Sequence, residues 1–496
     1  MYRKVAIILT VILFFAIAPP VAASSDGNET VTAGSRHSLA VKADGTLWAW
    51  GDNGYGQLGD GTTETRRTPV KVMDGVAYVT AGTVNSFAIK TDGTLWAWGW
   101  NGYGQLGDGT IINRRTPVKI MDGVISVSAG GNHTLAVKSD GTLWAWGDNF
   151  SGRLGDGTTE GRRSPVKIMD GVRSVSAGSN HSLAIKADGT LWAFGYNNEG
   201  QLGDVTTVSR STPVKIMDSV DSASTEARGA HSLAVKKDGS LWAFGHNNYG
   251  QLGDGSTKHQ SSPVNIMADV LSASAGGGHS LVLRQDGSLW AFGLNSNGQL
   301  GTGTTDTRRT PAKIMDDVST ISAGAGHNLA IKTDGSLWVW GDNSDGQLGD
   351  GTTVSKSTPV KIMDSLKPTS TVAPAASTSE IKVLVNGNQI AFDQPPIIVN
   401  DRTMVPLRAI FEALGAEVAW DQDTRTAIAI KDDITIRLRI GSDALIKNGR
   451  EIKLDVFPMI INNRILVPAR AVAEGFETDV SWNQATRTVT ITSKTT

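Results

Sequence analysis

The chain has no cysteine in 496 residues. That excludes disulfide staples, thiolate nucleophiles and cysteine metal sites, so packing alone must hold the fold. It also lacks charge of one sign. Lys and Arg number 46 against 48 Asp and Glu, a formal net charge of -2, which argues against a general affinity for nucleic acid or anionic lipid but not against a local patch. Long apolar runs are scarce, and the one near the start, residues 5–18, is shorter than the roughly 20 residues a spanning helix needs. Residues 381–496 contain no His, Tyr or Cys, and so offer no imidazole, phenol or thiolate for transition-metal or quinone chemistry.

Glycine, by contrast, is abundant at 57 residues, and it recurs in register. The stretch Lys42-Ala43-Asp44-Gly45-Thr46-Leu47-Trp48-Ala49-Trp50-Gly51 has seven versions. Its Leu falls at 47, 95, 143, 191, 241, 289 and 337, giving steps of 48, 48, 48, 50, 48 and 48. A period of this size marks one supersecondary unit repeated. Apolar residues alternate with a period of two, and Asp-Gly between the runs is a hairpin signal, because glycine accepts the positive φ of the turn. Trp48 and Trp50, two apart, share one face of a sheet. Each unit continues through Gly-Gln-Leu-Gly-Asp-Gly-Thr to two further short strands, about four in all, the content of a propeller blade. The expected fold is an all-β seven-bladed propeller over residues 24–366.

The ends of the array look complementary. The first unit lacks a Thr-Pro-Val-Lys-Ile strand ahead of Val31, and the last ends with Thr358-Pro359-Val360-Lys361-Ile362. The expectation is that this strand joins the first blade and clasps the ring. The 50-residue step reflects two extra residues in Ser224-Thr225-Glu226-Ala227-Arg228-Gly229-Ala230-His231, expected as a surface feature of one blade.

Arg3 and Lys4, the apolar run and Val21-Ala22-Ala23 fit a secretory signal peptide over residues 1–23, cleaved after Ala23, with no stable membrane insertion afterwards. Residues 367–380, rich in Ser, Thr, Pro and Ala, read as a linker. Residues 381–496 read as a smaller C-terminal α/β (α+β) domain with internal duplication. Val405-Pro406-Leu407-Arg408-Ala409 is answered by Val467-Pro468-Ala469-Arg470-Ala471, and Trp420 by Trp482, each 62 residues on. Leu407, Ile410, Phe411 and Leu414 mark one helical face.

The elements Ala129-Gly130-Gly131-Asn132-His133, Trp50-Gly51-Asp52-Asn53 and Gly56-Gln57-Leu58-Gly59 resemble those of the regulator of chromosome condensation repeat family. The resemblance implies a seven-bladed propeller. It is weak on activity, because that family includes a nuclear nucleotide-exchange factor and a secreted bacterial β-lactamase inhibitor. The C-terminal region resembles the amino-terminal stalk domain of copper amine oxidases, which occurs alone in exported proteins of Gram-positive bacteria. Lacking imidazole and tyrosine, it does not support an oxidase reading.

Other constellations point to structure. His37, His133, His181, His231, His279 and His327, with Asn85 in the second unit, are expected to anchor their own blades by bonding backbone. Asp60, Asp108, Asp156, Asp254 and Asp350 in Gly-rich turns fit either calcium or, better, an Asp that bonds its own backbone. The pairs Arg66-Arg67, Arg114-Arg115, Arg162-Arg163 and Arg308-Arg309 read as solvated charges. No catalytic set, cofactor or metal site follows from the pattern.

Informative positions are those where the repeat varies. Tyr55, Trp100, Tyr103, Phe150, Tyr196 and Tyr249 decorate loops that should emerge on one rim, and clustered aromatics are favoured anchors for a partner. Trp100, Tyr103, Tyr55 and Phe150 should form one patch. The function expected is that of an exported, monomeric, non-catalytic binding protein, secreted or at the cell surface, recognising a protein or cell-envelope glycan. The alternatives are an exchange-factor-like activity by analogy and an exported propeller lyase or hydrolase.

Overall fold

The computed structural model describes residues 30–364, residue 366 and, with short gaps, residues 381–493. The expected signal peptide and linker lie outside the described residues. Residues 31–363 form seven four-stranded antiparallel sheets, each built from consecutive strands. Blade 1 runs Val31–Ala33, His37–Val41, Leu47–Gly51 and Arg66–Met73. The Asp-Gly hairpins are present, with Asp44 Oδ1 accepting from the Thr46 amide and hydroxyl and Gly45 at φ +79°.

The cores lie between blades. Leu39, Val41, Leu47 and Ala49 of blade 1 pack on Val76, Val79, Ala88 and Trp98 of blade 2, while Ala40 and Trp50 face blade 7. Both faces of each sheet are therefore covered, which is why His37–Val41 is buried at every position. Trp48 and Trp50 do share a face: Trp50 is fully buried against blade 7, and Trp48 packs half-buried at the edge of the same cluster.

Closure differs from the expected strand exchange. Lys356–Met363, which holds Thr358 to Ile362, pairs with Leu337–Gly341 of its own blade 7, and blade 1 has all four of its own strands. The clasp is a single residue three positions beyond that strand. Leu366 forms an isolated bridge to Lys42, and its amide donates to Gly335 O as the Val76 amide does to Gly45 O. Leu366 thus fills the slot that opens every later blade. The complementarity of the two ends came from the choice of where a repeat starts.

The two-residue insertion is also not a surface feature. Thr225, Glu226 and Ala227 are buried. Ser179 N donates to Gly229 O at 3.2 Å, and Thr83 Oγ1 of blade 2 lies 3.5 Å from Ala227 O of blade 5. In a ring of seven those blades are as far apart as two can be, so the loop reaches over the axis.

In the C-terminal domain, Leu407–Ala413 forms the first helix, with Pro406 at its N-cap and Gly415 at φ +86° just beyond its end. Leu407, Ile410, Phe411 and Leu414 are buried as one face, and Phe411 meets Phe476 of the second helix, Ala469–Phe476, edge-on at 4.8 Å. The duplication is visible in register, because Val405 pairs directly with its counterpart Val467 across antiparallel strands. The halves then diverge: Thr426–Lys431 pairs antiparallel with Ile434–Arg439, whereas Thr488–Ser493 pairs parallel with Lys382–Val385.

Candidate functional site

Each long loop after the third strand has a fixed frame. Asn53 is fully buried; its Oδ1 accepts from Leu58 N, and its Nδ2 donates to Asp60 Oδ1 and Thr62 O. Gln57 Oε1 accepts from Tyr55 N and its Nε2 donates to Asp52. Gln57 O accepts from both Ser86 Oγ and Trp98 Nε1, so the loop of one blade is pinned to the next. Gly59 has to be glycine: a Cβ there would sit 2.7 Å from the Trp98 indole nitrogen.

The same frame engages the carboxylates of the Gly-Asp-Gly turns, each of which accepts from the backbone amide two residues on. Asp60 accepts from Thr62 N, Thr62 Oγ1, Asn53 and Arg66, and the Arg66 pair closes at 2.8 Å. Burial would raise its pKa, but these donors outweigh it and hold the carboxyl below its ordinary value. Asp108 and Asp156 repeat the arrangement with Arg114 and Arg162. The first Arg of these three pairs is therefore bonded, not merely solvated. Arg308 follows the expectation and is exposed, opposite Thr302.

The His slot is corrected as well. His37 Nε2–H donates to Ser86 Oγ of the next blade, and Ser86 passes its own proton to Gln57 O. His133, His181, His231 and His327 do likewise to Ser182, Ser232, Ser280 and Ser38, and His279 to Asn328. These imidazoles tie adjacent blades together instead of capping their own. Their Nδ1 atoms are buried without a partner, and burial lowers His181, His231 and His327 to about 3, and His37 and His279 to about 4. They stay neutral over the ordinary pH range. Asn85, in the same slot, leaves both side-chain polar atoms unpaired.

What remains free to vary projects from the frame. Tyr55, Tyr103, Phe150 and Tyr249 are 47, 50, 66 and 44% exposed, while Trp100 and Tyr196 are half-buried. Tyr55, Trp100 and Tyr103 are brought together. Ring centroids are 6.2 Å apart for Tyr55 and Trp100, and 5.4 Å, edge-on, for Trp100 and Tyr103. Trp100 lies over Gly102 of its own loop, where a Cβ would come within 2.8 Å of the indole. Phe150 has no ring contact with this group among the described residues; its ring lies 5.9 Å from the guanidinium carbon of Arg153. Tyr249 belongs to a separate sector with His246, at 6.3 Å. Among the described residues, Tyr196 has no ring contact.

Two features escaped the sequence reading. Arg153 replaces the Gln of Gly-Gln-Leu-Gly, is buried, and pairs with Asp148 at 3.2 Å. Its signal was the broken motif. In the other sector Glu199, His246 and His259 place one ligand atom each within 4.8 Å of the others. The donor pattern does not suit a metal. His259 Nδ1 accepts from Asn247 N, leaving its proton on Nε2, which meets Glu199 at 3.0 Å. Gln251, oriented by Tyr249 N, donates to His246 Nδ1. A ligand nitrogen must present a lone pair, and the lone pairs here are taken. The His259 slot is structural elsewhere too, filled by Asn113, Ser209 and Ser355, which accept from the equivalent Asn amides.

Residues 384–491 match the copper amine oxidase N-terminal domain family. Residues 381–496 contain no His, Tyr or Cys, and so offer copper no imidazole, phenol or thiolate. Regulator of chromosome condensation (RCC1) repeats match at 44–89 and 92–137, and again at 29–57 and 76–105. The human and mouse E3 ubiquitin-protein ligase HERC2 are 49% identical over 43 residues, which is 9% of this chain and 1% of the ligase. Among solved structures, human WBSCR16 is similar with a TM-score of 0.59 at 24% identity, covering 64% of this chain and 94% of that one. Yeast RCC1 (Prp20), solved bound to Kap60, gives 0.58 at 20% identity, covering 72% and 91%. These likenesses establish the fold. The RCC1-like domain matches residues 121–384, more than half of the sequence, and the chain belongs to that family.

Proposed function

We propose that the chain is an exported, non-catalytic binding protein that recognises a protein partner through the propeller face carrying Tyr55, Trp100 and Tyr103. One observation carries this reading. The loop frame holds itself by its own hydrogen bonds, Gln105 Nε2 being left unpaired where Trp100 replaces the Asp that Gln57 reaches, and three large rings stand together on it, two of them half exposed. Of the twelve Trp in residues 30–366, eleven occupy the two repeat slots after Leu, and Trp100 is the exception. Rigid aromatics grouped on a surface supply large contact area at low entropic cost, and they dominate binding where they occur. Support for a protein partner comes from the relatives, since yeast RCC1 was solved bound to Kap60 and has described binding properties to Gsp1p and histones. Export is supported by the amino-terminal sequence, and a cell-envelope glycan is the competing ligand.

The test is affinity capture with the mature chain from the exterior fraction of the producing cells, followed by titration of the captured protein. Replacing both Trp100 and Tyr103 by Ala should weaken binding at least tenfold with the melting temperature unchanged. Equal affinity of the double variant, or capture of glycan alone, would remove the proposed site.

A further inference from the structure

The loop over the axis differs from its six counterparts in more than length. Elsewhere these turns are Gly34-Ser35-Arg36, Gly82-Thr83-Val84, Gly130-Gly131-Asn132, Gly178-Ser179-Asn180, Gly276-Gly277-Gly278 and Gly324-Ala325-Gly326. They hand hydrogen bonds around the ring, Ser35 N to Gly82 O, Gly131 N to Gly178 O, Gly277 N to Gly324 O and Ala325 N to Gly34 O. Blade 5 keeps the incoming bond, from Ser179 N to Gly229 O, and adds a bulge that lays Ala227 against Thr83. There is little slack beneath it, because a Cβ on Gly131 would meet Ala227 O at 3.0 Å.

The bulge carries a carboxyl where none of the other turns has one. Glu226 is 6% exposed; Oε2 accepts from Arg228 N at 2.6 Å, and Oε1 is buried with no partner. The charges around it are few. Arg228 is on the same loop, and His231, at the start of the next strand, is neutral. The turns packed against the bulge, at Thr83, Gly131, Ser179 and Gly276, hold no ionisable side chain. Arg36 is the one charged residue in the other six turns, and it faces Asp345 at 3.6 Å. Nothing on neighbouring blades neutralises a carboxylate here, and an ionised oxygen without a partner is costly to bury.

We infer that the 225–230 loop is an acid-closed stopper over the propeller axis, held down while Glu226 keeps its proton and released when the proton leaves. Burial pushes the Glu226 carboxyl from 4.5 up to about 7, against the backbone amides of Arg228, Ala227 and Gly229 that favour the anion. The sign follows from linkage. Once lifted into water the carboxyl returns to its ordinary value, so between pH 4.5 and about 7 the open loop is ionised while the closed loop holds its proton. Closure therefore weakens as pH rises through that window, by roughly 300-fold in the closing equilibrium, and is constant above it. The insertion supplies the two residues the reach requires, and its glutamate supplies the trigger.

Hydrogen exchange of the full chain tests this. After correction for intrinsic rates, the amides of Ala227, Arg228 and Gly229 should lose at least tenfold in protection between pH 5 and pH 8, while Gly277 and Gly278 do not change. Glu226→Gln, which has no proton to lose, should stay equally protected at both values. Flat protection in the wild-type loop, or the same loss in Glu226→Gln, would overturn the inference. The absence of cysteine gives a second reading that does not depend on that variant folding. The thiol of Ala227→Cys, rated against that of Ser296→Cys on an exposed loop, should gain reactivity as pH rises. A constant ratio would equally overturn it.

Discussion

Trp98 and Trp100 are two residues apart on the same blade, yet they belong to different regions of the molecule. Trp98 is fully buried in the seam between blades 1 and 2, and its indole N–H donates to Gln57 O at 2.9 Å. Trp100 is half-buried on the loop face, in contact with two tyrosines and with no place in the hydrophobic clusters between blades. Seams are built from apolar residues at fixed places in the repeat, packed on the neighbouring blade and in four blades bonded to it through a Trp indole. The rim is built from residues the repeat lets vary, attached to a frame held by Asn and Gln side chains that the repeat keeps. Stability resides in the first region, and the proposed recognition surface lies in the second.

Acid should break the seams first and furthest. The five imidazoles held at about 3 or 4 must take up protons on unfolding below 6.5, so the unfolded chain binds more protons there and stability falls as pH drops. On reaching pH 4 this amounts to about 3 kcal/mol for each imidazole held at 3, larger in sum than the opposing gain from Glu226. Denaturant melts at pH 7 and pH 4 check it, and equal midpoints would show that the His slots are not buried as described. Next in size is Trp98→Ala, expected to cost about 4 kcal/mol through the cavity and the lost bond to Gln57. Urea unfolding measures it.

Trp100→Ala should leave that midpoint within about 0.5 kcal/mol, as surface changes usually do. Early melting like that of Trp98→Ala would place it in the core and abolish the contrast. Combined with Tyr103→Ala, its cost should instead appear as tenfold or more in affinity, about 1.4 kcal/mol. The smallest effect sharpens the seam side. Asn85→His restores the slot that the other six blades share, opposite Thr134 in place of Ser, and should stabilise by about 1 kcal/mol as one imidazole N–H finds an oxygen. A loss of stability would mean that Thr134 cannot accept that bond.

The sequence by itself determined the number of blades, the strand pairs, the hairpins and the duplicated C-terminal domain. A fixed period and an alternation of two are local properties, and they survive whatever the blades pack against. The rim residues were legible as departures from the repeat. Partners were not. His37 looks the same whether it bonds its own blade or Ser86 on the next, and only the 2.9 Å contact decides. The frame of the repeat was equally open. Leu366 clasps the ring because it is the first residue of an eighth turn of the pattern, whereas the complementary ends suggested Thr358 to Ile362. Loop lengths do not report where a loop goes, so two extra residues after Ser224 read as surface, yet closure of the ring put them at the axis. A propeller brings residues 144 apart, Thr83 and Ala227, within 3.5 Å, and no periodicity in one chain direction encodes that meeting.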